Sequence, residues 1–527
     1  MASNLVQLSY KPGIQRDGTI FQGDYCTSGF WVRFQKGKIR KIRGMKGVNV
    51  NINLLASELI ILPDNQQIAN YICATTGIYY CVTDTNFNYA DVVSQILPLP
   101  ENPTVLWQST TVINNNQINV VFLAANNAVN INQNSVSTIY YSKISFGVLT
   151  LINNAIAGIS PLINGGMCYS APYLFLYGSN GLVQYSANNN PFNFIPDNTA
   201  ASGGQFTISN DKVIWGAAIR GGPNAPAVLF WTLSSVVKIS NVGTDIVKFQ
   251  RDVISKSSSI LSTKCVVEYD GFFFWPGIDR FFVYNGLVQE ADNNINLDYF
   301  FDNIDMNFRQ KVFGVKNTRY GEIWWFYPEK IDTPGRNPAL PAGTNTHALI
   351  YNKRENSWYD TAIYRDCGTY SDDFGFLATY GQSIVNPSMG GNTYLWKHEV
   401  NTNEFIPDVL NNPIPSTVTT PVFGWSSFNP VYNAAGGAKG QPIDKWIELR
   451  RIEPDFVYGN NPAINVSVNS KQYAQSPIVV SDPFPFDNST QKVDMRVQGR
   501  QLSLNFTSGS YFEMGNLMML VGIGDGQ

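Results

Sequence analysis

The sequence predicts an all-β protein. It reads as a β-propeller-like domain of about seven blade-like modules with one inserted helix, plus a C-terminal β-sandwich-like domain. Three observations predict this. Aromatic-rich strand pairs recur every roughly 45–55 residues, close to the length of one four-stranded blade. Apolar and polar residues alternate with period two along most of the chain, and helical spacing replaces that alternation once. Charged residues make up 14% of the 527 while aromatics reach 13%. A disordered chain has the reverse balance, and a helical bundle is rich in Ala, Glu, Lys and Leu.

Residues 1–50 read as an N-terminal β segment carrying a basic block. No acidic residue lies between Tyr25 and Ser57, and the stretch holds Arg33, Lys36, Lys38, Arg40, Lys41, Arg43 and Lys46. Trp31-Val-Arg-Phe34 alternates in the manner of a strand. The block is either a solvated cationic face on paired strands or a contact for an acidic partner, such as DNA phosphate or an acidic protein ring.

Residues 51–400 hold the modules. They start with "YICATTGIYYCV" at Tyr71 and "VVFLAANNAVNI" at Val120. "YLFLYGSNGLVQYS" at Tyr173, "VLFWTLSSVVKIS" at Val228 and "FFFWPGIDRFFVYNGLVQE" at Phe272 follow. The last two begin at Ile323 and Gly375. Each reads as an apolar strand, a Gly/Asn turn and a second strand. One blade cannot bury both its faces alone, so the modules must pack radially. From Asn102 to Pro196 the only charged residue is Lys143. Charge is depleted at interface cores, so this stretch suggests surface covered by other copies, or surface past which something charged slides. Leu297, Phe300, Phe301, Ile304, Phe308 and Val312 follow helical spacing and predict a helix over 296–311. The Pro-rich residues 330–347 predict a protruding hairpin loop. Residues 401–443 are rich in Pro, Gly and Asn and read as a linker or connecting strands. Residues 444–527 alternate again and read as the β-sandwich.

The chemistry-bearing motifs are sparse. The six cysteines are scattered without a C-x-x-C pair, which fits buried thiols better than zinc or a disulfide framework. Only two histidines occur, His347 and His398, which argues against a Ser/His/Asp triad. No phosphate-cradling Gly motif and no nucleophile elbow is found. Asp84-x-Asn86-x-Asn88 and Asp292-x-Asn294-x-Asn296 resemble calcium loops. They lack the Gly and Glu that an EF-hand needs, so Asx turns are expected. Glu268 and Asp270 flank a strand but form no recognisable glycosidase pair. The Asn465, Asn488 and Asn505 sequons are read as composition. No signal peptide or membrane span is expected. No catalytic residue, metal ligand or cofactor is assigned, and the protein is expected not to be an enzyme.

A resemblance adds to this reading. Tyr10-Lys-Pro-Gly-Ile14 and Phe30-Trp-Val-Arg-Phe-Gln-Lys-Gly-Lys-Ile-Arg-Lys-Ile42 resemble the opening of the tail nozzle, or packaged-DNA stabilisation, proteins of short-tailed bacteriophages. Gln310–Phe313, Glu322–Pro328, Glu355–Trp358, Tyr394–Glu399, Arg451–Asp455, Lys492–Leu504 and Met514–Leu517 resemble the same family, in the same order. Residues 102–196 and the 330–347 loop depart from it. The resemblance implies a virion protein, made in the cytoplasm of a bacterial host and placed in the tail. It implies a homo-oligomeric ring of six copies below the portal and adaptor rings. Such a ring retains packaged double-stranded DNA, conducts it without sequence specificity during ejection, and carries the tail needle or fibres. The alternative is a glycan-binding or glycan-cleaving propeller, such as a receptor-binding protein. A cellular scaffold propeller is a third reading, without the WD signatures it would carry.

Overall fold

The computed structural model describes residues 4–19, 24–50, 52, 55–64, 67–75, 77–96, 106–125, 138–143, 156, 158–188, 190–197, 199, 201–220, 227–242, 248–387, 392–424, 446–459, 463–473 and 475–524. Seven sheets, antiparallel except for one parallel pair in the seventh, form the blades. Blade 1 is Ala56–Asp64, Gln67–Ala74, Gly77–Thr83 and Asp91–Ile96. Blade 2 is Leu106–Asn114, Gln117–Ala125 and Thr138–Lys143. Blade 3 is Gly166–Ser170, Tyr173–Tyr177, Leu182–Tyr185 and Gly204–Thr207. Blade 4 is Val213–Ile219, Ala227–Thr232, Val236–Asn241 and Phe249–Ser255. Blade 5 is Val267–Tyr269, Phe272–Pro276, Phe281–Tyr284 and Val288–Glu290. Blade 6 is Phe313–Asn317, Glu322–Pro328, Asn345–Asn352 and Ser357–Ala362.

Local chemistry explains the hairpins. In blade 2, Asn114 pairs with Gln117, and the two residues between them, Asn115 and Asn116, both take positive φ. That is the turn whose twist matches paired strands, and Asn tolerates it. The middle strands are buried on both faces, as Tyr173–Tyr177 and Ala227–Thr232 show. They therefore read as apolar runs rather than strict alternation.

The first strands of neighbouring blades pack side by side around one axis. Cys367–Ser371 lies against both Ala56–Asp64 and Phe313–Asn317, which closes the ring from blade 7 to blade 1. Blades 4 and 5 meet through Trp231, whose ring centroid is 5.6 Å from both Trp275 and Phe273.

Blade 7 is built from both ends of the domain. Its strands Cys367–Ser371, Phe376–Gln382 and Thr393–His398 are followed outward by Met45–Asn49, then by Asn403–Ile406 and Leu410–Pro413. Met45–Asn49 runs antiparallel to Thr393–His398, with Val48 opposite Leu395. Backbone hydrogen bonds between distant segments thus tie the ring shut, in addition to side-chain packing.

The remaining strands form a β-platform of interleaved chain ends. Asn4–Leu8 pairs with Leu517–Ile523 beside Ile447–Glu453 and Val493–Gly499. Ser28–Phe30 joins Ser416–Thr419, Gln501–Ser508 and Ile464–Lys471. Val32–Gln35 and Lys38–Lys41 join Phe512–Met514 and Phe456–Tyr458. A single core runs through both parts. Trp31, Val32 and Phe34 pack in the same cluster as Trp324 and Tyr359 of blade 6 and Ile447 and Phe506 of the platform.

The expected domain bounds, helix and loop differ in detail: the 51–400 propeller also takes Met45–Asn49, Asn403–Ile406 and Leu410–Pro413, and residues 444–527 interleave with 1–50 instead of forming a separate sandwich. The helix is Leu297–Asn303 only, followed by a 3₁₀ turn at Met306–Lys311. Ile304 is extended because its backbone bridges to Glu329, and the Asp305 amide donates to the Pro328 carbonyl. Asp305 then starts the next turn by accepting from Asn307 N. The 330–347 loop packs on itself rather than standing free. Arg336 is buried and donates to the Leu340 and Pro341 carbonyls at 3.0 and 2.8 Å. Residues 425–445 of the linker lie outside the described residues. No helix among the described residues is long and apolar enough to cross a membrane.

Candidate functional site: a charged junction and the propeller axis

The basic block lies where the platform meets the propeller, and it divides in two. Arg33 is only 2% exposed. Its guanidinium reaches Glu322 of blade 6 at 2.8 Å and Glu399, which follows blade 7, at 2.5 Å. It also stacks on the Tyr320 ring with 3.6 Å to the centroid. Glu322 is fully buried and accepts from Trp324 Nε1 at 2.9 Å and Tyr359 Oη at 2.7 Å. Burial pushes the Glu322 carboxyl above its usual range, against the pull of Arg33. Lys41 is also buried, and its Nζ donates to the carbonyls of Ile414 and Gly509. Burial lowers this ammonium to about 8.

These two residues correct the expectation that the whole block faces a partner. The strand Val32–Gln35 is sandwiched between platform and propeller, so both of its faces are covered. Arg40 pairs with Glu513 at 2.9 Å, and Lys38 approaches the same carboxylate at 4.0 Å. Arg43 lies over the Tyr511 ring, and Lys46 over Phe405 with its Nζ on Asn88. Lys36 is exposed, and its amide, with that of Gly37, donates to Glu355. The partners, buried Glu322 and partly buried Glu399, are residues that sequence reasoning missed. The signal was a carboxylate set in an aromatic strand run, which must find a cation once buried.

Further contacts tie distant segments of the chain together. Asn352 donates to the Phe34 carbonyl at 3.1 Å, and Gln35 to the Tyr320 carbonyl at 2.8 Å. The Asp455 carbonyl and carboxylate accept from Gly515 N and Asn516 N. Arg16 pairs with Asp360 of blade 6 at 2.9 Å, and Asp17 accepts from Asp298 N and Tyr299 N at the helix start.

Asp360 also receives His347 Nε2 at 2.8 Å, while His347 Nδ1 faces Glu329 at 3.4 Å. Burial acts to lower the imidazole, and the two carboxylates outweigh it, so the net shift is upward. The other histidine is held neutral by burial and the nearby Arg365 and Arg33, and its Nε2 meets Thr379 Oγ1 at 2.7 Å. A folded-state value above 6.5 means that the His347 contacts stabilise fully below about pH 6.5. They are lost as pH rises through the raised value. Between those points the wild type is expected to lose stability relative to His347→Gln, measured by urea unfolding across pH.

The axis has two mouths. Where the first strands end, a depression of about 330 Å³ is lined by Trp215, Arg220, Glu268, Lys316, Tyr370 and Asp372. Lys316 Nζ stands between two carboxylates, 3.0 Å from Asp372 and 3.9 Å from Glu268. Glu268 also caps its own turn by accepting from Gly271 N. Deeper in, Lys264, which precedes blade 5 and bridges to Phe313 at the start of blade 6, pairs with Glu58 of blade 1. Blades 1 and 6 are not neighbours in the ring, so this side-chain pair reaches across the axis. Where the first strands begin, a second cavity opens beside Phe308 and Asp366.

The first calcium-like loop closes on itself. Asp84 accepts from Asn86 N and Asn88 N at 2.9 and 2.8 Å, an Asx turn. All six cysteines are buried and unpaired.

No family model and no curated protein matches the chain. Among solved structures, it is similar to an arginine-substituted mutant of AofleA from Arthrobotrys oligospora. That match has 9% identity and a TM-score of 0.35, over 68% of this chain and 96% of that one. It is similar to the WD40 domain of Toxoplasma gondii coronin, at 8% identity and a TM-score of 0.33, over 76% and 86%. It is also similar to an exo-β-1,3-galactanase from Phanerochaete chrysosporium, at 10% identity and a TM-score of 0.28, over 91% and 100%. The chain itself carries a seven-bladed β-propeller joined to a β-platform.

Proposed function

We propose that this chain is a structural, non-catalytic tail protein of a short-tailed bacteriophage. Six copies form a nozzle ring below the portal and adaptor, and the ring's lumen retains and conducts the packaged DNA. One observation carries the reading. Three of the stretches that resemble the nozzle family, far apart in sequence, meet through Arg33, Glu322 and Glu399 at the junction between platform and propeller. Scattered likenesses have no reason to touch each other unless they serve one architecture. The Lys264–Glu58 pair reaches across the propeller axis, so the reading places the DNA path in the hole between copies, not along the axis of one propeller. Lys36, which is exposed, is left to meet an acidic adaptor surface or DNA at the entrance. The tail needle or fibres attach to the same ring.

The charge-free stretch supports broad contacts between copies. Its described residues expose Ile113, Ile118, Leu162 and Ile195. Ile113 and Ile118 face each other across the blade 2 hairpin. Interface cores are depleted of charge in this way. The double variant Ile113→Lys/Ile118→Lys is expected to fold normally, because both positions are exposed. It is expected to weaken ring assembly by at least about tenfold, since buried unpaired charge is costly. Sedimentation of the two proteins with the portal–adaptor complex checks this.

Negative-stain imaging of the chain added to a purified portal–adaptor complex tests the reading as a whole. A ring capping the adaptor is expected. Free monomers that ignore the complex would overturn it.

The glycan-binding reading has its own observation, the pair Glu268 and Asp372 with Trp215 and Tyr370 in the axial depression. A glycosidase needs an acid and a base across the scissile bond, with carboxyls roughly 5–10 Å apart. Here the Lys316 ammonium occupies the space between them. Glycan-array binding that is lost in Asp372→Ala would favour this reading over the nozzle.

A further inference from the structure

The first hairpin of blade 5 carries an aromatic cage, and a lysine of blade 6 fills it. Tyr269 pairs with Phe272 across a two-residue turn, Asp270-Gly271, in which both residues take positive φ. Asp-Gly is a favoured pair for this turn, whose twist matches the strands on either side. Phe272 and Phe274 are two residues apart on one strand, so they share a face, and Tyr269 stands opposite Phe272 on that same face. The two phenylalanine rings stack with centroids 6.3 Å apart. Lys353 Nζ reaches over this face from the turn that follows Asn345–Asn352. It lies 4.0 Å from the Phe272 ring centroid, 5.1 Å from that of Tyr269 and 5.9 Å from that of Phe274. The Asp270 carboxylate stands 3.6 Å from the same nitrogen.

Rings within about 6 Å of one cation are the means by which proteins hold a quaternary ammonium group. The walls of this cage are fixed, because Tyr269 and Phe274 are buried. The backbone that carries the lysine is fixed as well. Lys353 N donates to the Gly321 carbonyl at 2.9 Å, and Asn352 Oδ1 accepts from Arg354 N and Glu355 N. The Lys353 side chain is the movable part. It keeps 23% of its surface in water, so the cage is reached from solvent on that side. Among the described residues, neither Lys353 nor Asp270 has a second ion-pair partner. Exchanging Lys353 for another cation therefore leaves Asp270 paired and strands no charge. A lysine ammonium is compact and strongly hydrated, so it regains water on leaving. A quaternary ammonium spreads its charge over methyl groups and has no N–H to offer water, so it loses less on entering.

We propose that this cage is a binding site for a quaternary ammonium group, and that Lys353 is an intramolecular plug which the ligand displaces. The ligand takes the place of the Lys353 ammonium between Phe272 and Asp270, and Lys353 swings into water. A tethered competitor lowers the apparent affinity in proportion to the fraction of molecules whose cage stands empty. The group is carried either by free choline or by a phosphatidylcholine headgroup. This goes beyond the nozzle reading and does not depend on it.

The test is titration of the full chain with choline and with its neutral isostere, 3,3-dimethylbutan-1-ol, read by calorimetry or ligand-observed NMR. Lys353→Ala is expected to bind choline at least roughly tenfold more tightly than the isostere, which matches its shape but lacks the charge. The wild type is expected to bind choline roughly ten to a hundred times more weakly than Lys353→Ala, because its plug competes. Phe272→Leu in the Lys353→Ala background keeps an apolar wall without the ring's charge distribution, and it is expected to bring choline down to the level of the isostere. If Lys353→Ala fails to fold, Lys353→Ser replaces it. Sedimentation with phosphatidylcholine vesicles locates the source. Retention on the vesicles points to a lipid headgroup, and choline binding without retention points to a free small molecule. Both support the site. No choline binding to the folded Lys353→Ala protein, or equal binding of choline and the isostere, would overturn the site. A wild type that binds choline as tightly as Lys353→Ala, or not at all at a hundred times that variant's Kd, would overturn the displaced plug.

Discussion

Replacing Arg33 by Met is expected to destabilise the protein by about 3–5 kcal/mol, because removing one partner of a buried ion pair strands the other charge. Here two carboxylates are stranded, Glu322 and Glu399, and Glu322 has no access to water. The deficit has a pH signature. Burial already raises the Glu322 carboxyl, and loss of the Arg33 charge raises it further. A carboxyl raised above its unfolded value carries no penalty below that value, and the full penalty above the folded one. The Arg33→Met deficit is therefore expected to be smaller near pH 4.5 than at pH 7. Adding Glu322→Gln and Glu399→Gln is expected to restore much of the loss, because neutral amides leave no charge unpaired. Urea unfolding of the three proteins at both pH values decides it. A loss below about 1 kcal/mol for Arg33→Met would mean that the junction is solvated after all.

Trp231→Ala is expected to cost about 3–5 kcal/mol, the usual range for deleting a fully buried large aromatic. Trp231 is fully buried, and its ring is the plug between blades 4 and 5. The contrast with Trp231→Phe carries the argument. The indole N–H of Trp231 has no acceptor among the described residues. Phe keeps most of the apolar contact and removes that unpaired donor, so its cost is expected to stay below about 2 kcal/mol. Thermal unfolding of both variants checks the pair of values. Equal losses would show that the Trp231 ring does not seal the two blades.

The propeller was legible in the sequence because its signal is local. Each blade repeats a strand, a Gly/Asn turn and a strand, and the repeat survives a change in every individual residue. The blade-closing strand Met45–Asn49 was not legible. It lies over 340 residues from its partner Thr393–His398, and nothing in a short window encodes such a pairing. Arg33 and Lys41 were misjudged for a related reason. A run of cations usually marks a solvated face, and only the tertiary arrangement shows that the strand is covered on both sides. The helix was half legible. The stripe from Leu297 to Phe301 is helical, but Ile304 is claimed by a bridge to Glu329, which no periodicity announces. Of the axial sites, Glu268 stood out in the sequence. Lys316 and Asp372 did not, because the axis collects single residues from separate blades.

The most direct test of the ring reading is a cryo-EM map of the chain assembled on its portal–adaptor complex. The account predicts several copies around a hole wide enough for a DNA duplex. It places Ile113, Ile118 and the rest of residues 102–196 at contacts between copies or on the lumen wall. A map with those residues on the outer solvent face would contradict the interface assignment, and a chain that forms no ring on the complex would contradict the proposed function itself.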